Sequence, residues 1–288
     1  MPEYVPKIEE ITELKENVST GIEDFTSQLY HYTTAEIAEI ITTHKTLRFT
    51  CVSSLQSNDP YEIVDAYDLF VGTFMPLIEE NAFSVSEDEL RAGIGEIADR
   101  TFVACFSYNS ASNYLFENYA TRGSTERGAI LQFDTHTLIN SILQNNNHIL
   151  KSSHLSVGKI VYSQEVKIEL LNGWMDYINK MITYGLGQFL GGKNREKPLI
   201  DERVNVWKYQ DDCKDQGQCF RRKWSIQAVL FTKKDSYQNE EEIRIAITLE
   251  EDHYQELLTS ETIVIPDQGS SYIELRVENP CSSSSPDR

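Results

Sequence analysis

The stretch Tyr237-Gln238-Asn239-Glu240-Glu241-Glu242-Ile243-Arg244-Ile245-Ala246-Ile247-Thr248 decides the fold of this chain. From Ile243 onward every second residue is isoleucine, which is the pattern of a half-buried β-strand. Successive side chains of a strand point to opposite faces, so we expect Glu240, Glu242 and Arg244 to share one face. A loop that enters a sheet often holds site residues, but a charged strand start is also typical of a solvated face.

The composition is that of a folded, acidic protein. The chain has 288 residues, 40% of them hydrophobic, and a formal net charge of −19. This length is sufficient for a full core, and the negative charge disfavours non-specific binding to nucleic acid or anionic membranes. Five scattered cysteines without a Cys-x-x-Cys pair, no signal peptide and no long apolar run predict a cytoplasmic protein that does not cross a membrane.

Helical and extended patterns alternate along the chain without an internal repeat. Apolar residues at helical spacing predict an amphipathic helix over 7–17, so that residues 1–28 form a helical lead-in. Short strands and helices follow over 29–278, with a helical insertion at about 165–231, and 279–288 have the composition of a disordered tail. This order favours a single α+β domain with helices at the periphery of its sheet.

Two further places carry polar groups beside predicted strands. His31 lies in the apolar segment Leu29-Tyr30-His31-Tyr32-Thr33, although a lone strand histidine is more often a satisfied core group. Asn58-Asp59-Pro60 has the chemistry of a turn, and Pro60 is suited to begin a helix. The chain has no glycine-rich phosphate loop, no His-Glu-x-x-His and no serine elbow. These residues by themselves leave the function open.

Taken together, the segments resemble a bacterial and phage family known as domain of unknown function 2971. The resemblance extends from residue 29 to about 248 and also includes Ser53-Ser54-Leu55, Asn58-Asp59-Pro60-Tyr61-Glu62, Cys105-Phe106-Ser107, Asn118-Tyr119-Ala120, Gly128-Ala129-Ile130-Leu131-Gln132-Phe133-Asp134 and Phe231-Thr232-Lys233-Lys234. A His-x-Thr first strand, a second strand ending in serine and a late Glu-x-Glu strand are similar to the layout of ADP-ribosyltransferases. The resemblance therefore implies a split β-sheet core of that kind.

The same resemblance implies an NAD-dependent mono-ADP-ribosyltransferase of the toxin or phage-defence type that uses no metal. Glu242 would stabilise the oxocarbenium-like transition state at the nicotinamide ribose, and Glu240 would orient the acceptor. His31 would hydrogen-bond a ribose of NAD. Two carboxylates on one face would raise each other's pKa, which suits a general base. The residues that would bind NAD are His31, Tyr32, Thr33, Ser53, Ser54 and Tyr119.

Other roles and alternatives follow from the same residues. Arg244 is expected to pair with Asp59 or Glu62 of the turn that begins at Asn58, which would join the two halves of the site. The acceptor is an unidentified protein or nucleic acid, and an antitoxin or self-association fits this type of protein. One alternative is a non-catalytic sensor on the same fold. Another is a nuclease or nucleotide hydrolase whose carboxylates hold Mg²⁺, namely Asp59, Glu62, Glu240 and Glu242.

Overall fold

The computed structural model describes residues 11–14, 27–55, 68, 71–72, 87–121, 127–163, 230–267, 269–278 and 281–282. The strands are β1 (Ile11–Leu14), β2 (Gln28–Thr34), β3 (Thr46–Cys51), β4 (Thr101–Ser107), β5 (Gly128–Asp134), β6 (Ser153–Lys159), β7 (Glu242–Leu249), β8 (Tyr272–Arg276) and β9 (Cys281–Ser282). The helices are α1 (Ala35–His44), α2 (Val52–Leu55), α3 (Glu87–Ala98), α4 (Asn113–Leu115), α5 (Thr135–Asn145), α6 (Asn147–Leu150) and α7 (Glu251–Thr259), with a π-helix (Phe116–Ala120) and a 3₁₀-helix (Asp235–Glu240).

The strands form a curled antiparallel sheet, and the helices make the protein a mixed α/β domain. The main path of the sheet runs β1-β6-β7-β4-β2-β5-β9, with β3 and β8 off this path. One edge of β4 pairs with β7 from Thr101 to Ser107. The other edge pairs with β3 at Phe102 and Val103 and with β2 at Ser107. The sheet therefore divides along β4, and we call the stretch from Val103 to Ser107 the fork.

The isoleucines of β7 form the centre of the core. Ile243, Ile245 and Ile247 are fully buried in one apolar cluster with side chains from the neighbouring strands and from α1, α5 and α7. We call this side of the sheet the core face and the side that carries Arg244 the polar face. The half-buried strand predicted from the alternation is wrong in one respect, because every residue of β7 except Thr248 is buried. The polar face is therefore also buried along β7.

The strand prediction also placed one carboxylate in the wrong element. Glu240 is not in β7 but is the last residue of the 3₁₀-helix. Glu241 separates the two elements because its backbone is left-handed, with φ of 45°. The chain thus turns sharply between Glu240 and Glu242, and the shared face expected for the two carboxylates is produced by this turn instead of by strand alternation.

The ends of the chain differ from the sequence expectation. Residues 11–14, within the predicted lead-in helix, form β1 and pair with β6 from Leu155 to Gly158. Pairing with a sheet edge satisfies the backbone of a short segment better than an isolated helix does, because such helices are marginal in water. In the predicted disordered tail, Cys281 and Ser282 pair with β5. The helical insertion at about 165–231 lies outside the described residues except for Leu230 and Phe231.

The first helix begins where the sequence predicted it. A helix beginning after Thr33 or Thr34 was expected, and α1 begins at Ala35 with the Thr34 hydroxyl accepting from the Ile37 amide. Lys45 ends α1 in a left-handed conformation, with φ of 54°. Within the part of the chain that the structure describes, no helix is both long enough and apolar enough to cross a membrane.

Candidate active site at the start of β7

Four charged side chains are buried together on the polar face, and we call them the charge cluster. Lys233 Nζ lies between the two carboxylates, 2.6 Å from Glu240 Oε2 and 3.2 Å from Glu242 Oε2. Arg244 Nε donates to Glu242 Oε1 at 2.5 Å. All four residues are buried. Their ionised charges sum to zero, and this pairing is what makes their burial tolerable.

The charge cluster is fixed by the backbone around it. The amide of Lys233 donates to the Val161 carbonyl at 3.1 Å, and Arg244 Nη1 donates to the Leu230 carbonyl at 2.9 Å. The amide of Glu242 donates to the Tyr162 hydroxyl at 3.0 Å. Two segments therefore hold the first residues of β7 in place, one directly after β6 and the other directly before the 3₁₀-helix.

A tyrosine on the π-helix completes the environment of Glu240. The Tyr119 hydroxyl donates a short hydrogen bond to Glu240 Oε1. Glu240 thus has an ammonium group on one oxygen and a phenol on the other. π-Helices are rare and are often found at functional sites.

The π-helix is anchored to the sheet through β2. The Tyr32 hydroxyl donates to the Asn109 carbonyl at 2.7 Å and accepts from the Ser112 amide at 3.0 Å. Tyr32 also packs with Leu115, which precedes the π-helix, and with Ala120, which is its last residue. Tyr32, predicted to bind NAD, therefore acts in this structure as a support for the segment that carries Tyr119.

The two carboxylates have opposite pKa shifts. Burial raises the pKa of Glu240, and the neighbouring charge of Glu242 adds to this, while Lys233 opposes it. Burial would also raise the pKa of Glu242, but the charges of Arg244 and Lys233 outweigh it and lower the value. The expected rise in pKa is therefore found for Glu240, whereas the two cations that contact Glu242 give it a lowered pKa.

The fork opens the middle of the sheet to solvent. Cys105 is exposed although every other residue of β4 is buried. Its thiol hydrogen-bonds the Glu242 carboxylate, and it lies opposite Arg244 in the β4–β7 ladder. The polar face therefore has an opening at Cys105, directly beside the charge cluster.

His31 supports the fork from the opposite side. Its Nδ1 donates to the Cys105 carbonyl at 3.1 Å, and its ring packs against Phe106 with 5.7 Å between the centroids. The registers align Tyr30 with Ser107 and Ser107 with Glu242, so Tyr30 shares the face of Glu242 and His31 lies on the core face. The structure separates His31 in β2 from Glu242 in β7 by one strand, β4, and places its side chain on the face opposite the Glu242 carboxylate.

The remaining predicted site residues are further from the cluster or outside the described residues. Thr33 lies two residues after His31 in β2, so it is on the same face of the sheet, and it is buried. Ser53 and Ser54 lie in α2 and bond Cys51, with Ser53 Oγ 3.3 Å from the Cys51 sulfur and Ser54 donating to the Cys51 carbonyl at 2.8 Å. Asn58, Asp59 and Glu62 lie outside the described residues.

The turn that was predicted to pair with Arg244 therefore lies outside the described residues. The contacts described for its guanidinium are with the carboxylate of Glu242 and the carbonyl of Leu230. Pairing with Asp59 or Glu62 stays a prediction.

Three residues of the site were not predicted from sequence. Lys233 sits in a short basic run, which usually faces solvent. Its burial could have been suspected from the apolar Leu230-Phe231 that precedes it. Cys105 was noted only as part of the segment Cys105-Phe106-Ser107, and its role and that of Tyr162 could not be predicted, because they depend on the fork and on the crossing of two distant segments.

The chemistry available to the cluster is that of proton transfer. Glu240 can accept a proton, whereas Glu242 stays ionised between its two cations. Among the described residues no group of three or more His, Cys, Asp or Glu side chains could hold a metal ion. The ammonium group of Lys233 occupies the space between the two carboxylates.

Comparisons with known proteins neither support nor oppose the motif resemblance. No protein-family model, no curated protein and no solved structure matches the chain. A function for this protein must therefore be inferred from the geometry and chemistry of the site.

Proposed function

We propose that the protein transfers ADP-ribose from NAD and that Glu240 is its working carboxylate. The supporting observation is the environment of Glu240, which is buried at the entrance to β7 with a raised pKa and a hydrogen bond to Tyr119. A carboxyl group whose pKa lies closer to neutral is a better general base than an ordinary glutamate. The opening at Cys105 provides access to the same side of the sheet.

In the proposed reaction the bond between C1′ of the ribose and the nicotinamide nitrogen breaks. Nicotinamide leaves as a neutral molecule with the bonding electron pair, and the ribose carbon acquires oxocarbenium character. An acceptor with an O–H or N–H group attacks this carbon with its electron pair while its proton passes to Glu240. Water in the acceptor's place would give hydrolysis of NAD.

The proposal keeps Glu240 on the side of the acceptor but gives Glu242 a different role from the one that the sequence suggested. Both oxygens of Glu242 contact cations, through Arg244 on one and Lys233 on the other. A neutralised carboxylate with a lowered pKa is a poor base, and its field at a developing cation is weakened. We therefore assign Glu242 the positioning of Lys233 and Arg244, and His31 the positioning of β4 at the fork.

A second candidate function is a non-catalytic sensor that binds a ligand at the fork. One observation favours it, namely the balance of charge between Glu240, Glu242, Lys233 and Arg244. A balanced cluster can be a structural feature of a binding module without any reaction.

Label transfer from NAD distinguishes these candidates. The purified protein is incubated with cell lysate and NAD labelled in its adenylate phosphate, and NAD loss is measured in parallel. We expect wild type to label an acceptor and Glu240→Gln to lose the reaction by about 10²–10⁴-fold, the usual contribution of a general base. Glu274→Gln, an exposed residue paired with Arg48, serves as the control.

The outcomes have distinct meanings. Wild type that binds NAD but neither consumes it nor labels an acceptor would favour the sensor. Wild type that does not bind NAD would refute the transferase and leave a sensor for a different ligand as the remaining candidate. Circular dichroism and thermal melts of each variant show whether a loss of activity comes from unfolding.

A further inference from the structure

Glu240 is almost completely buried, but one of its hydrogen-bond partners is exposed. Glu240 is 3% exposed, and the ammonium group on its Oε2 belongs to Lys233, which is 6% exposed. Its Oε1 accepts from Tyr119, which is 43% exposed. Among the described residues that hydrogen-bond this carboxylate, Tyr119 is the one that reaches the surface.

We infer that Tyr119 is a proton relay that connects an acceptor bound at the open side of the polar face to the buried Glu240 carboxylate. This inference rests on the proposed function, since the relay serves the acceptor of that reaction. A bound acceptor cannot touch Glu240 directly, but it can place its O–H or N–H group against the Tyr119 oxygen.

The transfer balances in protons and electrons. The acceptor's O–H or N–H bond breaks and a new O–H bond forms on the Tyr119 oxygen, while the original hydroxyl proton of Tyr119 moves to Glu240 Oε1. The electron pair left on the acceptor forms the bond to C1′ of the ribose, and nicotinamide carries away the pair of the broken bond. Tyr119 is neutral before and after the transfer, and Glu240 ends protonated.

The groups around Glu240 are consistent with this direction of transfer. Tyr119 faces it from the π-helix, Lys233 from the residues before the 3₁₀-helix, Glu242 from β7 and Tyr162 from the segment after β6. Burial and the charge of Glu240 raise the pKa of Tyr119, so its hydroxyl stays protonated. Glu242 keeps its charge between two cations, so an added proton is held at Glu240.

The position of Tyr119 is fixed by close packing behind the π-helix. A Cβ atom at Gly128 would lie 2.8 Å from the side chains of both Ala120 and Phe116. The first residue of β5 therefore has no room for a side chain, and the π-helix packs directly against its backbone. A relay requires such fixed geometry, because proton transfer is efficient only within hydrogen-bond distance.

The experiment compares Tyr119→Phe with Tyr114→Phe. Tyr119→Phe keeps the ring and its packing but removes the hydroxyl, whereas Tyr114 is an exposed tyrosine of the adjoining helix α4 and serves as the matched control. We expect Tyr119→Phe to bind NAD within about twofold of wild type by calorimetry and to lose acceptor labelling by about 10²-fold or more. Tyr114→Phe should behave as wild type.

A second measurement does not depend on activity. Tyrosines labelled with ¹³C at Cζ are followed by NMR from roughly pH 4 to 9, the range between ordinary carboxyl and tyrosine pKa values. The Tyr119 signal is assigned by its loss in Tyr119→Phe. Its chemical shift should change with pH in a titration step, and this step should disappear in Glu240→Gln. A step that persists in Glu240→Gln, or no step in wild type, would overturn the relay.

The two proposals fail in distinguishable ways. If Tyr119→Phe labels the acceptor as fast as wild type while Glu240→Gln does not, the relay is wrong and the proposed function stands. If wild type consumes no NAD with any acceptor, the proposed function is wrong and the relay is wrong with it.

Discussion

Glu240 and Glu242 share the ammonium group of Lys233, yet their pKa values are shifted in opposite directions. The difference comes from their second partners. Glu242 also contacts the guanidinium of Arg244, whereas Glu240 contacts the neutral hydroxyl of Tyr119. One buried cluster thus contains a carboxylate that stays charged down to a lower pH than an ordinary glutamate and a carboxylate that takes up a proton more readily.

The two glutamates should contribute to stability with opposite dependence on pH. The lowered pKa of Glu242 means that its contribution is present in full above the ordinary value of 4.5 and is lost as the pH falls through its folded-state pKa. The raised pKa of Glu240 means that its contribution is present in full below 4.5 and is lost as the pH rises through its folded-state pKa.

Urea denaturation of wild type, Glu240→Gln and Glu242→Gln at a series of pH values measures this difference. The stability of wild type relative to Glu242→Gln should shrink in acid, and that relative to Glu240→Gln should shrink as the pH rises above 4.5. If the free energies of unfolding of the two variants, each relative to wild type, changed with pH in the same way, the two carboxylates would not have opposite pKa shifts.

Removing Arg244 should strongly destabilise the fold. Arg244→Met leaves Glu242 buried with only Lys233 as a cation, and breaking a buried ion pair costs about 3–5 kcal/mol. Arg48→Met removes a surface pair whose arginine is 57% exposed, and it should cost no more than about 1 kcal/mol.

The double variant Glu242→Gln/Arg244→Met isolates the pairing. Because no carboxylate is then left without its cation, it should be less destabilised than the sum of the two single variants. Additive losses, measured as free energies of unfolding in urea, would contradict the pairing.

A methyl group at Gly128 should disturb the π-helix. Gly128→Ala places a Cβ 2.8 Å from two side chains of that helix, and we expect a cost of about 1–3 kcal/mol together with reduced activity as Tyr119 is displaced. Gly95→Ala in α3 is the control, because nothing lies within 4 Å of the added methyl.

The control should even be stabilising, since alanine is favoured over glycine within a helix by about 0.5–1 kcal/mol. Equal thermal stability of Gly128→Ala and wild type would show that the packing behind Tyr119 can adapt.

Glu241 should matter for its backbone more than for its carboxylate. Its φ of 45° is strained for a residue with a side chain, and its carboxylate accepts from Asn109 Nδ2 at 2.6 Å. Glu241→Gly loses that hydrogen bond but relieves the backbone, so the net change should be within about 1 kcal/mol. Glu241→Val should cost about 1–3 kcal/mol more, because branched side chains are disfavoured there. Equal melting of the two variants would contradict this.

Local patterns predicted the elements that local physics determines. The isoleucine alternation located β7, and Thr34 located the start of α1, because periodicity and capping depend only on residues that are close in sequence. The expected closeness of Glu240 and Glu242 was also found, although the left-handed Glu241 produces it.

The features that sequence could not provide depend on pairing between distant segments. The four residues of β1 are extended because the edge of β6 is available to them. The face that His31 takes relative to Glu242 is set by the register of β4, which lies between their strands. Lys233 looks like any turn lysine until the carboxylates of Glu240 and Glu242 close around it.

The pH dependence of nicotinamide release tests most directly whether Glu240 is the working base. Wild type should release nicotinamide from NAD at a rate that rises with pH through a midpoint above the ordinary carboxyl value of 4.5. Glu240→Gln should lose this rise and retain at most about one hundredth of the rate. A Glu240→Gln variant that is folded and releases nicotinamide with the wild-type rate and midpoint would contradict the assignment.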